Sequence, residues 1–380
     1  MDFTLSKQHL LLRDMYRAFA ENEVKPLAEE VDEEERFPME TVKKLARYGF
    51  MGIPFPKKYG GAGGDVLAYA MAVEELSKAC ATTGVIVSAH TSLCCAPIYE
   101  NGTEEQKMQY LPKLLSGEWI GAFGLTEPNA GTDASGQQTT AELVDDHYVL
   151  NGTKIFITNA GYAHVYIIFA MTDKKAGNKG ISAFIVEKDF PGFSVGKKEK
   201  KMGIRGSATC ELSFDNIKLP ADALVGKEGA GFKIAMMALD GARISIGAIA
   251  SGLAQHAMEV AKNYANERVT FGKPIAKYQG VAFKFADMAA KIRAIDLMVW
   301  DTAQMKSEGQ RHTVEAAELK LMSSRWCCEI CDECIQVLGG NGYSREFHVE
   351  RFYRDAKLLE IGEGTSEIQR MVISGAVLAK

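Results

Sequence analysis

Leu358-Leu359-Glu360-Ile361-Gly362-Glu363-Gly364-Thr365-Ser366-Glu367-Ile368-Gln369-Arg370 is a stretch where one helical run stops and another starts. The first run ends near Ile361, and the second begins after Thr365. Ser366 and Gln369 have the spacing of a capping box, in which each side chain satisfies the other residue's orphan backbone N–H. Glu363 is left between two glycines. Glycine lets the backbone turn sharply and lets a ligand approach closely. A carboxylate on so tight a loop, facing a ligand rather than water, is a candidate general base. The same spacing also fits an ordinary interhelix turn with a solvated acid.

Outward from this loop the pattern is helical back to about residue 227. Phe285, Met288, Ile292, Ile295 and Val299 repeat at 3-4-3-4, the seam of a long helix packed on neighbours. Residues 314–337 form another long helix, ending at Gln336-Val337-Leu338-Gly339-Gly340-Asn341-Gly342. Those glycines are first a C-cap and second a place where a ligand can touch backbone. Arg268-Val269-Thr270-Phe271-Gly272-Lys273-Pro274 reads as the turn of a helical hairpin. Its arginine and hydroxyl also suit a pyrophosphate.

The texture differs between about residues 119 and 225. Short β-branched and aromatic runs at 148–150, 154–158, 165–171, 181–186 and 210–214 predict strands, some of them separated by Asn151-Gly152 and Pro191-Gly192. This is a β domain, a small barrel or sandwich. The small-residue loop 121–136 carries several hydroxyls and amide N–H groups that can face a flat polar ligand. Before it, from Leu5 to about Gly117, the pattern is helical again. Tyr59-Gly60-Gly61-Ala62-Gly63-Gly64-Asp65 lacks a preceding strand and reads as a turn, not a phosphate cradle. The order α, β, α predicts two helical blocks flanking a sheet domain, the last a four-helix bundle. The domains are expected at 1–117, 118–226 and 227–380.

Composition narrows the class. A chain of 380 residues is long enough for two or three domains. Its 47% hydrophobic and 24% charged residues suit a globular core. A net charge of −5 gives no electrostatic footprint for nucleic acid. No apolar run reads as long enough to span a bilayer. The N-terminus has no basic and apolar leader, so a cytoplasmic location is expected. Eight cysteines without framework spacing suit a reducing compartment.

Four features invite other chemistry. Cys328-x-x-Cys331-x-x-Cys334 sits in a helical run without a wrapping loop or fourth thiolate. Cys327, Cys331 and Cys334 fall instead on a buried stripe. Gly192-Phe193-Ser194-Val195-Gly196 matches G-x-S-x-G but lacks the strand–turn–helix of a nucleophile elbow and reads as a surface strand. The run Lys197-Lys198-Glu199-Lys200-Lys201 reads as a solvated face. The seven histidines form no H-x-x-x-H pair, so no metal site is expected.

Taken together, 121–136, 154–159, 202–209, 240–244, 268–274, 336–343 and 354–370 resemble, in order and over the whole length, the motifs of the acyl-CoA dehydrogenases, most closely the short-chain, butyryl-CoA type. The resemblance implies a mainly α fold with a central β domain: an N-terminal helical domain, a middle β-barrel and a C-terminal four-helix bundle. It implies a homotetramer, a dimer of dimers, with FAD between the β domain and the bundle. Phe123, Leu125, Thr126, Thr132, Phe156, Ile157 and Thr158 would bind this cofactor, with Thr365 and Glu367. Arg268, Phe271, Gln279, Gln336, Gly339 and Gly340 would reach the FAD of a neighbouring subunit. Thr132, Asp240, Arg243 and Gly364 match positions that contact the CoA substrate.

The acid–base glutamate of the family maps onto Glu363. Members that place the base just before the arginine that is Arg243 here would need a carboxylate at Ala242, so only Glu363 is available. The implied reaction converts a short-chain acyl-CoA to a trans-2-enoyl-CoA and passes electrons to an electron-transferring flavoprotein. Gly362 departs from the tyrosine many members carry, and so admits a branched, unsaturated or aryl-substituted acyl group. Rival expectations are the reverse, enoyl-CoA reductase direction, an acyl-CoA oxidase, and a non-catalytic helical assembly protein.

Overall fold

The computed structural model describes residues 4–379. The chain is mostly helical around one central sheet. Its first block holds α1 (Lys7–Phe19), α2 (Ala28–Glu33), α3 (Met39–Arg47), α4 (Val66–Ala79), α5 (Ala81–Ser88), α6 (Ala96–Asn101) and α7 (Glu104–Leu115). Ser6, Asp65 and Thr103 cap α1, α4 and α7, each side chain accepting the N–H three residues on. The glycine-rich loop before α4 therefore ends in a helix cap. Within this helical block the winding is not uniform: Ala89–Cys95 is wound more widely, between α5 and α6. This stretch holds the buried His90, whose Nδ1 accepts from the Gly121 N–H at 3.0 Å and ties the helix to the sheet.

The sheet comprises β1 (Gly121–Gly124), β2 (Thr140–Val144), β3 (His147–Thr158), β4 (Val165–Met171), β5 (Ile181–Glu187), β6 (Phe193–Lys198), β7 (Thr209–Pro220) and β8 (Leu224–Val225). Their order is β6-β7-β3-β2-β4-β5-β8, with β1 parallel beside β4. Asn151-Gly152 is not a turn, contrary to expectation. β3 runs through it, and a register shift against β7 between Leu150 and Gly152 absorbs the glycine. A second shift lies between Lys154 and Ile157, with Phe156 at φ 59°. The lysine run is only partly a solvated face. Lys198 donates to the Glu35 carbonyl of the helical block, and Lys201 donates to Ser207 O at 2.7 Å. Backbone carbonyls facing the ends of long side chains recruit these two ammonium groups. Ser194 sits on exposed β6, without an elbow.

The last block runs α8 (Gly231–Glu267), a hairpin of β9 (Val269–Thr270) and β10 (Lys273–Pro274), α9 (Gln279–Ser307), α10 (Thr313–Leu338), α11 (Gly340–Tyr343), α12 (Val349–Leu359) and α13 (Ser366–Val377). Met288, Ile292, Ile295 and Val299 are buried, as their spacing predicts. Cys327, Cys331 and Cys334 are fully buried, and the described residues hold no His/Cys/Asp/Glu group placed for a metal. α10 packs against α8, α9, α12 and α13, and α8 against α4. At Gly252 a Cβ would stand 2.3 Å from Glu74 O, so only glycine permits the α8–α4 approach.

Two helical segments, Ala81–Asn101 and Gly231–Glu267, are in fact long and apolar enough to cross a membrane, against the expectation from apolar runs. Their most apolar stretches of 18 residues are 94% and 78% buried inside the protein. Helices that are hydrophobic all round serve as core elements of a large fold as well as membrane spans.

Candidate active site

α12 and α13 meet at the loop that carries Glu363. α12 ends at Leu359, and the N–H groups of Ile361 and Gly362 both return to Leu358 O at 2.9 Å. The cap of α13 is Thr365, not Ser366: its side chain accepts from the Ile368 N–H at 3.4 Å. Ser366 already has helical geometry, so its hydroxyl faces back to Glu360 O instead. Gln369 donates to Gly364 O at 2.9 Å and forms no capping box. Between the helices, Glu363 and Gly364 take φ 57° and 96° in succession. A Cβ on Gly364 would lie 2.8 Å from Gln369 Nε2 and 3.4 Å from Arg243 Nη2, in a backbone region that L side chains avoid.

Buried cations hold this loop. Arg243, on α8, is 3% exposed and directs Nε to Glu363 O at 3.4 Å. Its Nη1 meets Asp240 Oδ1 at 2.8 Å, and Asp240 Oδ2 accepts from Thr313 Oγ1 at 2.8 Å. Lys320, on α10, is fully buried and donates to Gly364 O at 2.6 Å. Asp240, Arg243 and Glu363, separated by up to 123 positions in the chain, thus form one hydrogen-bonded cluster, with Gly364 next to it in the chain and held by Lys320. Thr132 is exposed on the loop between β1 and β2 and shares no bond with it.

The residue Glu363 reaches the surface in part, but its Oε2 is enclosed and has no hydrogen-bond partner. Loss of hydration raises its carboxyl to about 7, against the pull of Lys320 and Arg243, which lower it. Among the described residues, the N–H of Glu363 also has no acceptor. A half-ionised carboxyl at neutral pH beside an unused amide donor has the makings of a proton-abstracting site. Tyr69, buried on α4 and bonded to Ser92 at 3.0 Å, lies close enough to feel the Glu363 charge.

The sheet side presents a second surface. Phe123 packs on Phe169 with ring centroids 4.9 Å apart, Leu125 is buried, and Thr126 is half-buried. Phe156 stands 59% exposed in left-handed backbone. Thr158 is half-buried and pairs with Thr209. The Ile157 side chain is 2% exposed within the core, beside the second register shift, so its contribution to a ligand would come from its backbone. On the bundle side Arg268, Phe271, Gln279, Gln336, Gly339 and Gly340 are all exposed. Thr365 spends its hydroxyl on the cap, and Glu367 is exposed.

Sequence reading passed over the residues that brace these surfaces. Lys154 is fully buried and donates to Leu125 O, Glu127 Oε1 and Gln137 Oε1 at 3.0, 2.7 and 2.8 Å. Glu127 also accepts from the N–H groups of Gln138 and Thr139. The available signal was positional. Lys320 shares the stripe 316, 320, 323, 327, 331, 334, whose other members are Ala, Ser and Cys. A lysine on a buried stripe needs a partner.

Known proteins give this geometry a setting. Three family models match in order: the N-terminal domain of acyl-CoA dehydrogenases over 6–118, the middle domain over 122–217 and the C-terminal domain over 229–378. The short-chain specific acyl-CoA dehydrogenase of Clostridium acetobutylicum is 56% identical over 377 residues, 99% of this chain and all of that one. The solved butyryl-CoA dehydrogenase of Megasphaera elsdenii superposes with a TM-score of 0.98 at 49% identity, each chain fully covered. A chain solved in work on the electron transferring flavoprotein of Acidaminococcus fermentans and flavin-based electron bifurcation gives 0.99 at 48% identity, again with full coverage of both. With its three domains matched in sequence and more than half its residues shared with a full-length relative, the chain belongs to the acyl-CoA dehydrogenase family of enzymes.

Proposed function

We propose that this enzyme oxidises a short-chain acyl-CoA to its trans-2-enoyl-CoA with FAD, using Glu363 as the base. The observation that carries the reading is the enclosed, unpartnered Glu363 carboxylate, raised to about 7. Ionised, it removes the proton next to the thioester carbonyl. Without water around it, it is basic enough to hold that proton. The free Glu363 N–H is a donor for the thioester oxygen as negative charge grows there, a role worth about 3–4 kcal/mol. Arg243 and Lys320 add positive charge behind the loop, and Asp240 and Arg243 line the substrate's approach.

FAD fits the residues present. Among the described residues the exposed Arg268 guanidinium has no partner, which suits a pyrophosphate. A Cβ on Gly339 or Gly340 would meet nothing within 4 Å, leaving open backbone. Phe271 is 97% exposed at φ 48°, a ring and a strained backbone that call for a cover from outside the chain. Phe123, Leu125, Thr126, Thr132, Phe156, Thr158, Thr365 and Glu367 would hold the cofactor of the same subunit. Arg268, Phe271, Gln279, Gln336, Gly339 and Gly340 would reach that of a neighbour in a homotetramer. Bound there, FAD supplies a hydride acceptor for the β-carbon. The likeness to a chain from the electron-transferring-flavoprotein work supports such a protein as the electron acceptor.

Arg268→Ala is expected to weaken FAD retention by about 10–100-fold, the worth of one charge-assisted bond. Flavin occupancy after dialysis reads this, and unchanged occupancy would count against the assignment. The overall reading is tested by titrating the oxidised, flavin-loaded protein anaerobically with a panel of acyl-CoAs. Short straight chains should bleach the flavin most. The Gly362 position favours a second reading: the nearest atoms to a Cβ there all belong to Leu358, at 3.5 Å or more, so nothing aromatic stands against this residue. A branched or aryl acyl-CoA outcompeting butyryl-CoA would establish it.

A further inference from the structure

We propose that Lys320 is a positioning residue for the base: from α10 its buried ammonium clamps the Gly364 carbonyl and keeps the Glu363 carboxylate in a fixed positive field. The inference rests on the reading of Glu363 as base.

The geometry is unusual for a lysine. Lys320 is fully buried on a helix stripe otherwise made of small and apolar residues. Its Nζ lies 2.6 Å from Gly364 O, which Gln369 Nε2 also meets at 2.9 Å. One residue back, Arg243 Nε approaches Glu363 O from the opposite helix, α8. Two cations on two rigid helices therefore hold two successive carbonyls of the catalytic loop. That loop carries two consecutive left-handed residues, one of them a glutamate. Such backbone persists only where its surroundings over-determine it. The clamp fixes the loop, and the loop aims both the carboxylate and its N–H.

Charge adds a second effect. The groups facing Lys320 are Glu363 and Arg243, with Glu360 beyond α12 and Glu367 on α13. Those facing Glu363 are Lys320 and Arg243, with Tyr69 from α4 and Asp240 paired to Arg243. Burial, with Arg243 adding to it, holds the Lys320 ammonium down at about 8, and its strongest compensation is the Glu363 charge. Burial pushes Glu363 up, and Lys320 is the largest influence opposing it. Deleting the ammonium removes that opposition and makes the carboxylate harder to ionise.

The test compares wild type, Lys320→Met and Lys320→Arg as purified holoenzymes across pH. The base must be ionised, so kcat/KM should rise through a limb near pH 7 in the wild type. In K320M the limb should move up by about one pH unit or more, with about a five-fold loss or more at pH 7. In K320R the charge remains, so the limb should stay in place. Its longer, planar head cannot occupy the ammonium position without moving the loop, so kcat should fall about ten-fold. A merely structural lysine would lower the melting temperature and leave the limb where it was. An unmoved limb in folded K320M overturns the proposal. If K320M does not fold, wild-type kcat in K320R overturns it instead. Absence of the limb from the wild type, or turnover in a Glu363→Gln variant, would strike the base assignment itself and not this clamp.

Discussion

Glu363→Gln should lose turnover by about 10³–10⁴-fold, while FAD and acyl-CoA binding stay near wild type. Glutamine keeps the shape of the side chain but offers no basic oxygen. The contacts that hold the loop do not involve the carboxylate: Arg243 and Lys320 grip the carbonyls of residues 363 and 364, and Oε2 has no partner to lose. The variant should therefore fold with its loop in place, and its stability carries a further signature. Folding raises the Glu363 carboxyl from 4.5 to about 7, so the folded state prefers the protonated form. Stability contributed by that preference is complete below 4.5 and is lost as pH rises through 7. Glutamine cannot ionise, so the variant should gain on the wild type progressively between pH 4.5 and 7. Melting curves over that range, beside anaerobic flavin bleaching by butyryl-CoA, read both effects. Retained bleaching would remove Glu363 from the reaction.

Local chemistry was legible in the sequence, and distant chemistry was not. The 3-4 spacing of Met288, Ile292, Ile295 and Val299 located a buried seam because helix period alone decides which face is apolar. Glu363 stood out because two glycines isolate it. The cap was misread by one residue because Thr365 and Ser366 are chemically equivalent caps, and only backbone geometry separates them. Asn151-Gly152 resembled a hairpin turn, yet β7 pairs along both sides of it, and a bulge replaced the turn. Ile157 entered the cofactor set by resemblance alone, and a strand read by its residue types gives no sign of the second bulge that sets its side chain in the core. Lys320 and Lys154 went unassigned for a different reason. Their partners lie 44 residues and 17 to 29 residues away, and no local spacing announces them.

Lys154→Met should destabilise the protein by about 3–5 kcal/mol, the usual penalty for removing one member of a buried ion pair. The ammonium has all three N–H groups engaged, and Glu127 is 5% exposed. Lys154 and Glu127 respond to burial unequally. The Glu127 carboxyl is held below its ordinary range, since Lys154 and the Gln138 and Thr139 amides together outweigh its burial. Lys154 falls to about 8, because Glu127 is its only anionic partner against complete enclosure. Glu127 is thus firmly anionic, and deleting the lysine leaves that charge stranded. Adding Glu127→Gln to Lys154→Met removes the stranded charge and should recover part of the loss. The double-mutant cycle isolates the pair: additive losses would mean no coupling between Lys154 and Glu127 and would refute this pairing. The consequence extends to function because Leu125 O is one of the three acceptors. Loosening it frees the start of the loop that carries Thr126 and Thr132. FAD retention should then fall in the single variant and stay low in the double one, where Leu125 O still lacks its donor, whereas a purely global destabilisation would return retention with stability.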